Sequence, residues 1–423
     1  MNKVIKSGNN MFTVLSDIAH TVCRALLSDV RLIERLREKH FDMAIVDSYP
    51  SFRCTHLLPK MLGVPMVSVG ELQSPWDMRI PWLVGLTDWL QRPVAPMVAG
   101  QPGTGVAPSF WERARGLGVN LLAQTVFEAL IPPLPDDLRL IAHVSDEDFI
   151  KLGESAVLYL WYYEPLMIGV HPPLLPHVRL IGGITASPQR PVADPQLLEW
   201  ADAAKDGFVL CSFGSVVSRL SKANTNKLFR LFEALRLPVV ARLQPEAANS
   251  GLKVPPHVRL ADWLPQQELL AHPNARLFIT HGGSNGVSEA LFHGVPMFVL
   301  PFISGQALIG SRVEALGFGR WANLEASNAQ ELRDAVSDIL ENETKYRDVL
   351  RRISKILRAR QHPRDVAADA VELILQSDDP DFLKPKLAQS QIFYTVYCIV
   401  NSAVLNMIGI AIKYQFVFLT VIN

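Results

Sequence analysis

The chain contains neither Gly-x-x-x-x-Gly-Lys-Ser/Thr nor a Gly-x-Gly-x-x-Gly run after an apolar segment. The first absence excludes the P-loop cradle for triphosphates, and the second the common dinucleotide fingerprint. No run of Lys or Arg stands out, and 41 basic residues balance 41 acidic ones, so nothing points to nucleic acid or another polyanion as a partner. The four cysteines, Cys23, Cys54, Cys211 and Cys398, form no Cys-x-x-Cys pair, which removes a zinc ribbon or a dithiol centre. Thiols spaced so widely are expected to be buried or idle. The first ten residues lack the apolar core of a signal peptide. The chain has no internal repeat and no low-complexity tract.

What is present is apolar. Of 423 residues 49% are hydrophobic and 19% charged, which suits two α/β domains with many buried strands. The stretch Ile392 to Ile412 runs 21 positions without a charge, long enough to span a bilayer as a helix; a buried terminal helix is the alternative. Before Asp47, Leu32 to His40 reads as an exposed helix. FDMAIVD (41–47) reads as a buried parallel strand ending in an acid. A short helix (54–62) and the strand GVPMVSV (63–69) complete one strand–helix–strand unit. Residues 72–135 are rich in Pro and Trp and read as long loops with one helix, 110–130, of the kind that shapes a pocket. Strands are expected at 156–160 and 178–184.

TASPQRPVADP (185–195) is the linker signal, with three prolines among polar residues. Beyond it strands at 207–212, 239–243, 258–261, 276–280 and 296–301 alternate with helices at 223–234, 265–271, 284–293 and 305–315. That alternation predicts a parallel, doubly wound sheet. The expected division is therefore an N-terminal domain over 1–184, a linker over 185–200, a C-terminal domain over 201–376, a juxtamembrane segment over 377–391 and the span over 392–412.

The sharpest chemical signal is RLFITHGGSNGVSEALFHGVP (276–296). An apolar strand ends at Thr280, His281-Gly282-Gly283 makes a tight turn, and Ser284 is placed to cap the helix that carries Glu289. Paired glycines let backbone N–H groups approach an anion, and the helix N-terminus adds positive potential. The arrangement suits a pyrophosphate, with His281 as a further donor and Glu289 within reach of ribose hydroxyls. A purely structural strand–turn–helix reads the same way.

Residues 276–319 strongly resemble the signature of the UDP-glycosyltransferases, closest to the animal UDP-glucuronosyltransferase-like branch. ADWLPQQELLAHP (261–273) resembles the family's W-x-P-Q segment, CSFGSVVS (211–218) its first C-domain strand and phosphate turn, and FDMAIVD with CTHLLPKMLGVPMV its N-domain stretch with a catalytic aspartate. The resemblance implies a GT-B fold, two Rossmann-like domains facing a cleft, with a C-terminal transmembrane helix. By position it implies that Trp263 stacks on uracil with Gln266 beside it. Ser215, His281, Gly283, Asn285 and Gly286 surround the diphosphate, Arg242 lies near the donor, and Glu289 holds the ribose. It implies a UDP-sugar as co-substrate, no cofactor or metal, a small lipophilic acceptor, and a single-pass protein of the endoplasmic reticulum membrane. A second copy or an active relative is the expected protein partner.

Three departures qualify the resemblance. In PFISGQALIGSRVEALG, Gln306 matches a sugar-binding position, but Gly305 stands where the family has an acid and Ile309 where it has Asn. Asp47 matches the aspartate that orients a general-base histidine, yet that histidine is absent. His20 and His40, the histidines before Asp47, are expected on the surface. The span lacks both a signal peptide before the domains and a basic tail after Lys413. An N-terminally incomplete chain accounts for the last two. Two functional expectations follow. One is an inverting transferase moving glucuronic acid or glucose to a lipophilic hydroxyl. The other is an inactive UDP-binding homologue acting through active relatives. Asn342-Glu343-Thr344 is the one glycosylation sequon of the chain.

Overall fold

The computed structural model describes residues 11–47, 54–70, 134–145, 152, 155–162, 164–167, 175–188, 191–215, 220–243, 253–302 and 304–384. The expected helix 110–130, the Trp-bearing stretch 72–90, Cys398 and the candidate span 392–412 lie outside these residues. Among the described ones no helix is long and apolar enough to cross a membrane.

Helices α1 (Met11–Leu27) and α2 (Val30–Glu38) precede the first sheet. Its strands are β1 (Ala44–Asp47), β2 (Met66–Gly70), β3 (Leu158–Trp161) and β4 (Val178–Leu180), all parallel and in that spatial order. Helix α3 (Leu57–Leu62) joins β1 to β2, and α4 (Asp136–Ala142) lies between β2 and β3 in the chain. The strand–helix–strand unit expected over 41–69 thus forms. Among the described residues, however, its first strand is an edge strand rather than a buried one. Val46 packs with Met66, Tyr159 and Val178, while Ile45 is 59% exposed. A four-residue apolar run carries no record of how many neighbours the strand will have.

The second sheet is the larger. Strands β5 (Phe208–Ser212), β6 (Val239–Arg242), β7 (Val258–Ala261), β8 (Ala275–Thr280), β9 (Met297–Val299) and β10 (Gly319–Trp321) are all parallel, in the order β10-β9-β8-β5-β6-β7. Alternate side chains along each strand feed two cores. Phe208, Leu210, Val240, Phe278 and Met297 pack on one face. They meet α5 (Pro195–Ala203), α7 (Gln266–Ala271), α8 (Ser284–His293), α9 (Ser304–Ala315) and α11 (Glu343–Ala359). Val209, Cys211, Val239, Leu277, Ile279 and Phe298 pack on the other, against α6 (Lys222–Ala234) and α10 (Ala329–Glu341). Burial on both faces is why these strands read as continuous apolar runs.

Helix α12 (Pro363–Leu375) ends the region assigned by sequence to the second domain, yet its Ala370 and Ile374 pack with Val67, Leu158, Leu160 and Ile181 of the first sheet. The crossing is held by Arg360, whose guanidinium donates twice to the Glu164 carboxylate, at 3.2 and 2.6 Å, and once to the Gly182 carbonyl at 2.8 Å. The Glu164 side chain is only 5% exposed, so its charge has to be matched by a fixed partner. In the linker the Ser187 hydroxyl donates to Gln267 Oε1 at 2.9 Å, and Gln267 Nε2 donates to the Thr185 carbonyl at 3.0 Å. Asp194 caps α5, with Pro195 in its first turn.

The expectation of idle thiols fails at one pair. Cys23 on α1 and Cys54 ahead of α3 form a disulfide, with Cα atoms 6.2 Å apart and a sequence separation of 31. Both are buried in a helical cluster with Ala19, Leu27, Ile33 and Leu138. Spacing along the chain could not reveal the pair, because packing of α1 against α4, and of α2 against α3, brings these segments together. Cys211 does behave as expected, a buried thiol whose burial pushes its pKa up. By loop-closure entropy a crosslink of this span stabilises by about 3–4 kcal/mol. Cys54→Ala, or reduction, is therefore expected to destabilise the N-terminal region by about 3–4 kcal/mol, read as a lower urea midpoint.

Candidate functional site

The order of the second sheet creates a switch point. The chain leaves β5 on one side toward β6 and β7 and returns on the other at β8. Crevices at the carboxyl ends of strands flanking such a point are where doubly wound sheets bind ligands. Register aligns those ends: Thr280 of β8 pairs with Ser212 of β5, Ser212 with Arg242 of β6, and Arg242 with Ala261 of β7. The loops leaving this one row carry Ser215, Trp263 and His281. Four separate stretches of sequence thus converge on one edge about 14 Å wide, three strand spacings.

His281 stands at the centre. Gly214 and Gly282 are left-handed, with φ of +72° and +86°. A Cβ on Gly214 would stand 2.9 Å from His281 Cε1, and one on Gly283 would stand 2.6 Å from the same atom. The glycines expected to admit an anion therefore first make room for the imidazole. Burial lowers the His281 pKa to about 4, so the ring is neutral near pH 7 and can donate one N–H. Its Nδ1 is buried without a partner. Helix α8 begins beside it, and its cap is Gly283, which has no side chain, rather than the expected Ser284. Amide donors at this helix start and its dipole point at the space beside His281. Asn285, in the first turn, is exposed.

Gln266 and Glu289 come together as expected, but they bind each other: Gln266 Nε2 donates to Glu289 Oε2 at 2.8 Å. Burial raises the Glu289 pKa and the Gln266 donor opposes that. Gly286 lies beside this pair, where a Cβ would stand 3.4 Å from both Gln266 Nε2 and the Phe278 ring, an ordinary contact distance. Arg242 braces the rim. It donates to the Gly214 carbonyl and, at 3.0 Å, to the Asp262 carbonyl, and its guanidinium lies 4.8 Å over the Trp263 ring. Trp263 is 72% exposed, an unusual state for an indole and therefore an available flat surface. Ser215 is exposed next to Gly214.

Gln306 sits in the first turn of α9, where its Oε1 accepts from the Phe302 backbone N–H at 2.9 Å. Ile309 packs against the core under β8 and β9. Asp47 belongs to the other sheet, at the exposed end of β1; burial and then its carboxylate raise the Tyr162 phenol. His40 is exposed as expected, whereas His20 is half-buried on α1. Among the described residues no group of three His, Cys, Asp or Glu side chains is placed to hold a metal ion. Sequence reasoning missed Gln267, which ties the linker to α7, and the Glu164–Arg360 pair. The doubled Gln after Pro265 was the available signal for the first. The second has none, since its members lie 196 residues apart.

Two parallel α/β sheets, with a glycine-lined His turn at the switch point of the second, are the frame of a GT-B fold. A glycotransferase of kitacinnamycin superposes with a TM-score of 0.56 at 19% identity, covering 86% of this chain and 83% of its own. Os79 of O. sativa in complex with UDP gives 0.56 at 16%, covering 86% and 84%. At such identities the likeness concerns the fold. The family model described as "UDP-glucoronosyl and UDP-glucosyl transferase" matches residues 2–418, and the chain belongs to that family. Its relatives include UDP-glucuronosyltransferase 3A1 of Mus musculus, 30% identical over 379 residues, 86% of this chain and 68% of that protein. The protein of the same name in Xenopus laevis is 28% identical over 375 residues, 88% and 69%. A 2-hydroxyacylsphingosine 1-beta-galactosyltransferase of Rattus norvegicus is 28% identical over 402 residues, 93% and 70%.

His281, His177 and His293 are all held near a pKa of about 4, chiefly by burial. An unfolded imidazole titrates near 6.5, so between about pH 4 and 6.5 the unfolded chain binds more protons. Stability is therefore expected to be full above that window and to fall as pH drops through it. A lower urea midpoint near pH 5 than near pH 7 is the outcome to look for. Gly283→Ala is expected to cost about 1–3 kcal/mol by forcing the His281 ring aside, and to weaken UDP binding in calorimetry by more than that loss of folding would.

Proposed function

We propose that the protein transfers a sugar from a UDP-sugar to the hydroxyl of a small lipophilic acceptor, with inversion at the anomeric carbon. Glucuronic acid or glucose is the proposed sugar, on the strength of the glucuronosyltransferase relatives and the family description. The observation that carries the reading is the convergence of Trp263, Arg242, His281 and the start of α8 on one strand-end row at the switch point of the second sheet. Uracil would lie on the exposed Trp263 face. The ribose hydroxyls would bond Glu289, oriented by Gln266. The diphosphate would lie against the amides of α8, Ser215 and Asn285.

The acceptor oxygen attacks the anomeric carbon as the bond from that carbon to the diphosphate breaks, and UDP leaves with the negative charge. Fixed amides at a helix start and a neutral imidazole N–H stabilise that developing charge without reorganising. The reading accordingly needs no metal or organic cofactor. The acceptor hydroxyl gives up its proton as it attacks, to a base that Asp47 would orient; the sequence holds no histidine at the place where the family has that base. The side-chain oxygen of Gln306 is engaged with its own helix start, which supports a weaker grip on the transferred sugar than on the nucleotide. The domains would lie in the endoplasmic reticulum lumen behind a single C-terminal anchor, and the Cys23–Cys54 bond supports an oxidising compartment. No observation favours the inactive homologue over the transferase.

Trp263→Ala is expected to reduce UDP affinity by about 1–3 kcal/mol, the usual contribution of a base stacked on an aromatic, with folding unchanged because the indole is exposed. Calorimetric titration with UDP measures this, and an unchanged affinity removes the donor site. Release of UDP from UDP-glucuronic acid or UDP-glucose in the presence of a phenol or lipophilic alcohol tests transfer. Binding without release under any such pairing contradicts the activity.

A further inference from the structure

We propose that Asn342 is an N-glycosylation site, and that the glycan projects from the end of the second sheet opposite the donor crevice. The sequon Asn342-Glu343-Thr344 falls at the joint between α10 and α11, where Asn342 has left helical geometry, with φ −99° and ψ 27°. The middle residue turns inward, since the Glu343 carboxylate is held by Arg276 and Arg347. That leaves Asn342 and Thr344, the two residues the reaction recognises, exposed on either side. The joint sits beside the start of β8, where Arg347 Nη2 donates to the Ala275 carbonyl at 2.7 Å. His281 follows the other end of that strand, roughly 17 Å away at the usual rise. A bulky sugar on Asn342 therefore clears the crevice.

The compartment is argued from different atoms. Cys23 and Cys54 form a buried disulfide in the first domain, and such bonds persist where the medium is oxidising, as in the secretory lumen in which asparagines are glycosylated. Asn342 Nδ2 donates to Asp338 O at 3.1 Å and to Asp338 Oδ1 at 3.0 Å. In the modification Nδ2 forms a bond to the anomeric carbon of an oligosaccharide carried on a lipid pyrophosphate. That carbon's bond to the phosphate oxygen breaks, Nδ2 gives up one proton, and the lipid pyrophosphate leaves. One N–H remains on Nδ2, enough to keep the bond to the Asp338 carbonyl. None of this depends on what the donor crevice holds.

The test is the full chain expressed behind a cleavable secretory leader in a eukaryotic host. Its peptides are mapped before and after the amidase that releases N-glycans. The expected result is a glycopeptide covering residue 342 that the amidase leaves deamidated there, in protein whose Cys23 and Cys54 resist alkylation. Asn342→Gln and Thr344→Ala are expected to abolish the glycan, and Thr344→Ser to retain it. The Ser variant and the wild-type peptide map keep the test decisive should the other two fold poorly. An oxidised chain unmodified at Asn342 overturns the proposal.

Discussion

The site depends on a single imidazole being wedged between two turns. His281 closes β8 and lies against Gly214, which closes β5, so it pins together the two strands that flank the switch point. The contact exists only because positions 214 and 283 carry no Cβ. It also explains the neutrality of the ring, since packing removes the water that would solvate a charge. A neutral donor next to a helix start suits an anion that arrives and leaves repeatedly. A charged histidine there would already be partly satisfied by counterions.

Around that wedge the rim is braced from the backbone outward. Arg242 ties the β5 turn to the loop after β7 and lies over Trp263, so the exposed indole is held by a fixed cation on one face. Gln266 and Glu289 hold each other across α7 and α8. The polar groups of the crevice are thus preorganised by contacts among themselves, which lowers what a ligand must do to order them.

The first sheet is coupled to this crevice by two routes. Gln267, the neighbour of Gln266, grips the linker at Thr185 and Ser187. Arg360 and α12 return from the second domain to clasp Glu164 and the first sheet. Any relative movement of the two sheets must pass through both. Because the Glu164 carboxylate is buried, parting it from Arg360 would leave a buried charge without its partner, at a cost of about 3–5 kcal/mol. The sheets are therefore joined by a specific polar clasp as well as by apolar packing.

Strands β5, β6, β8 and β9 were legible because each is buried on both faces, so composition alone marks them, and the turn at His281 was legible because glycine, histidine and a helix follow one another without interruption. The run Thr280 to Glu289 determined, by itself, that a strand, a glycine turn and a helix start follow one another there. What sequence could not carry is anything requiring two distant segments at once. That Ile45 faces solvent, that Cys23 meets Cys54, that the glycines of the motif serve His281 before any ligand, and that Gln306 turns back on Phe302 all depend on neighbours contributed by other elements. Periodicity records which face of a segment is apolar, not what will cover it. Only the packed arrangement decides which side chains are left over for chemistry.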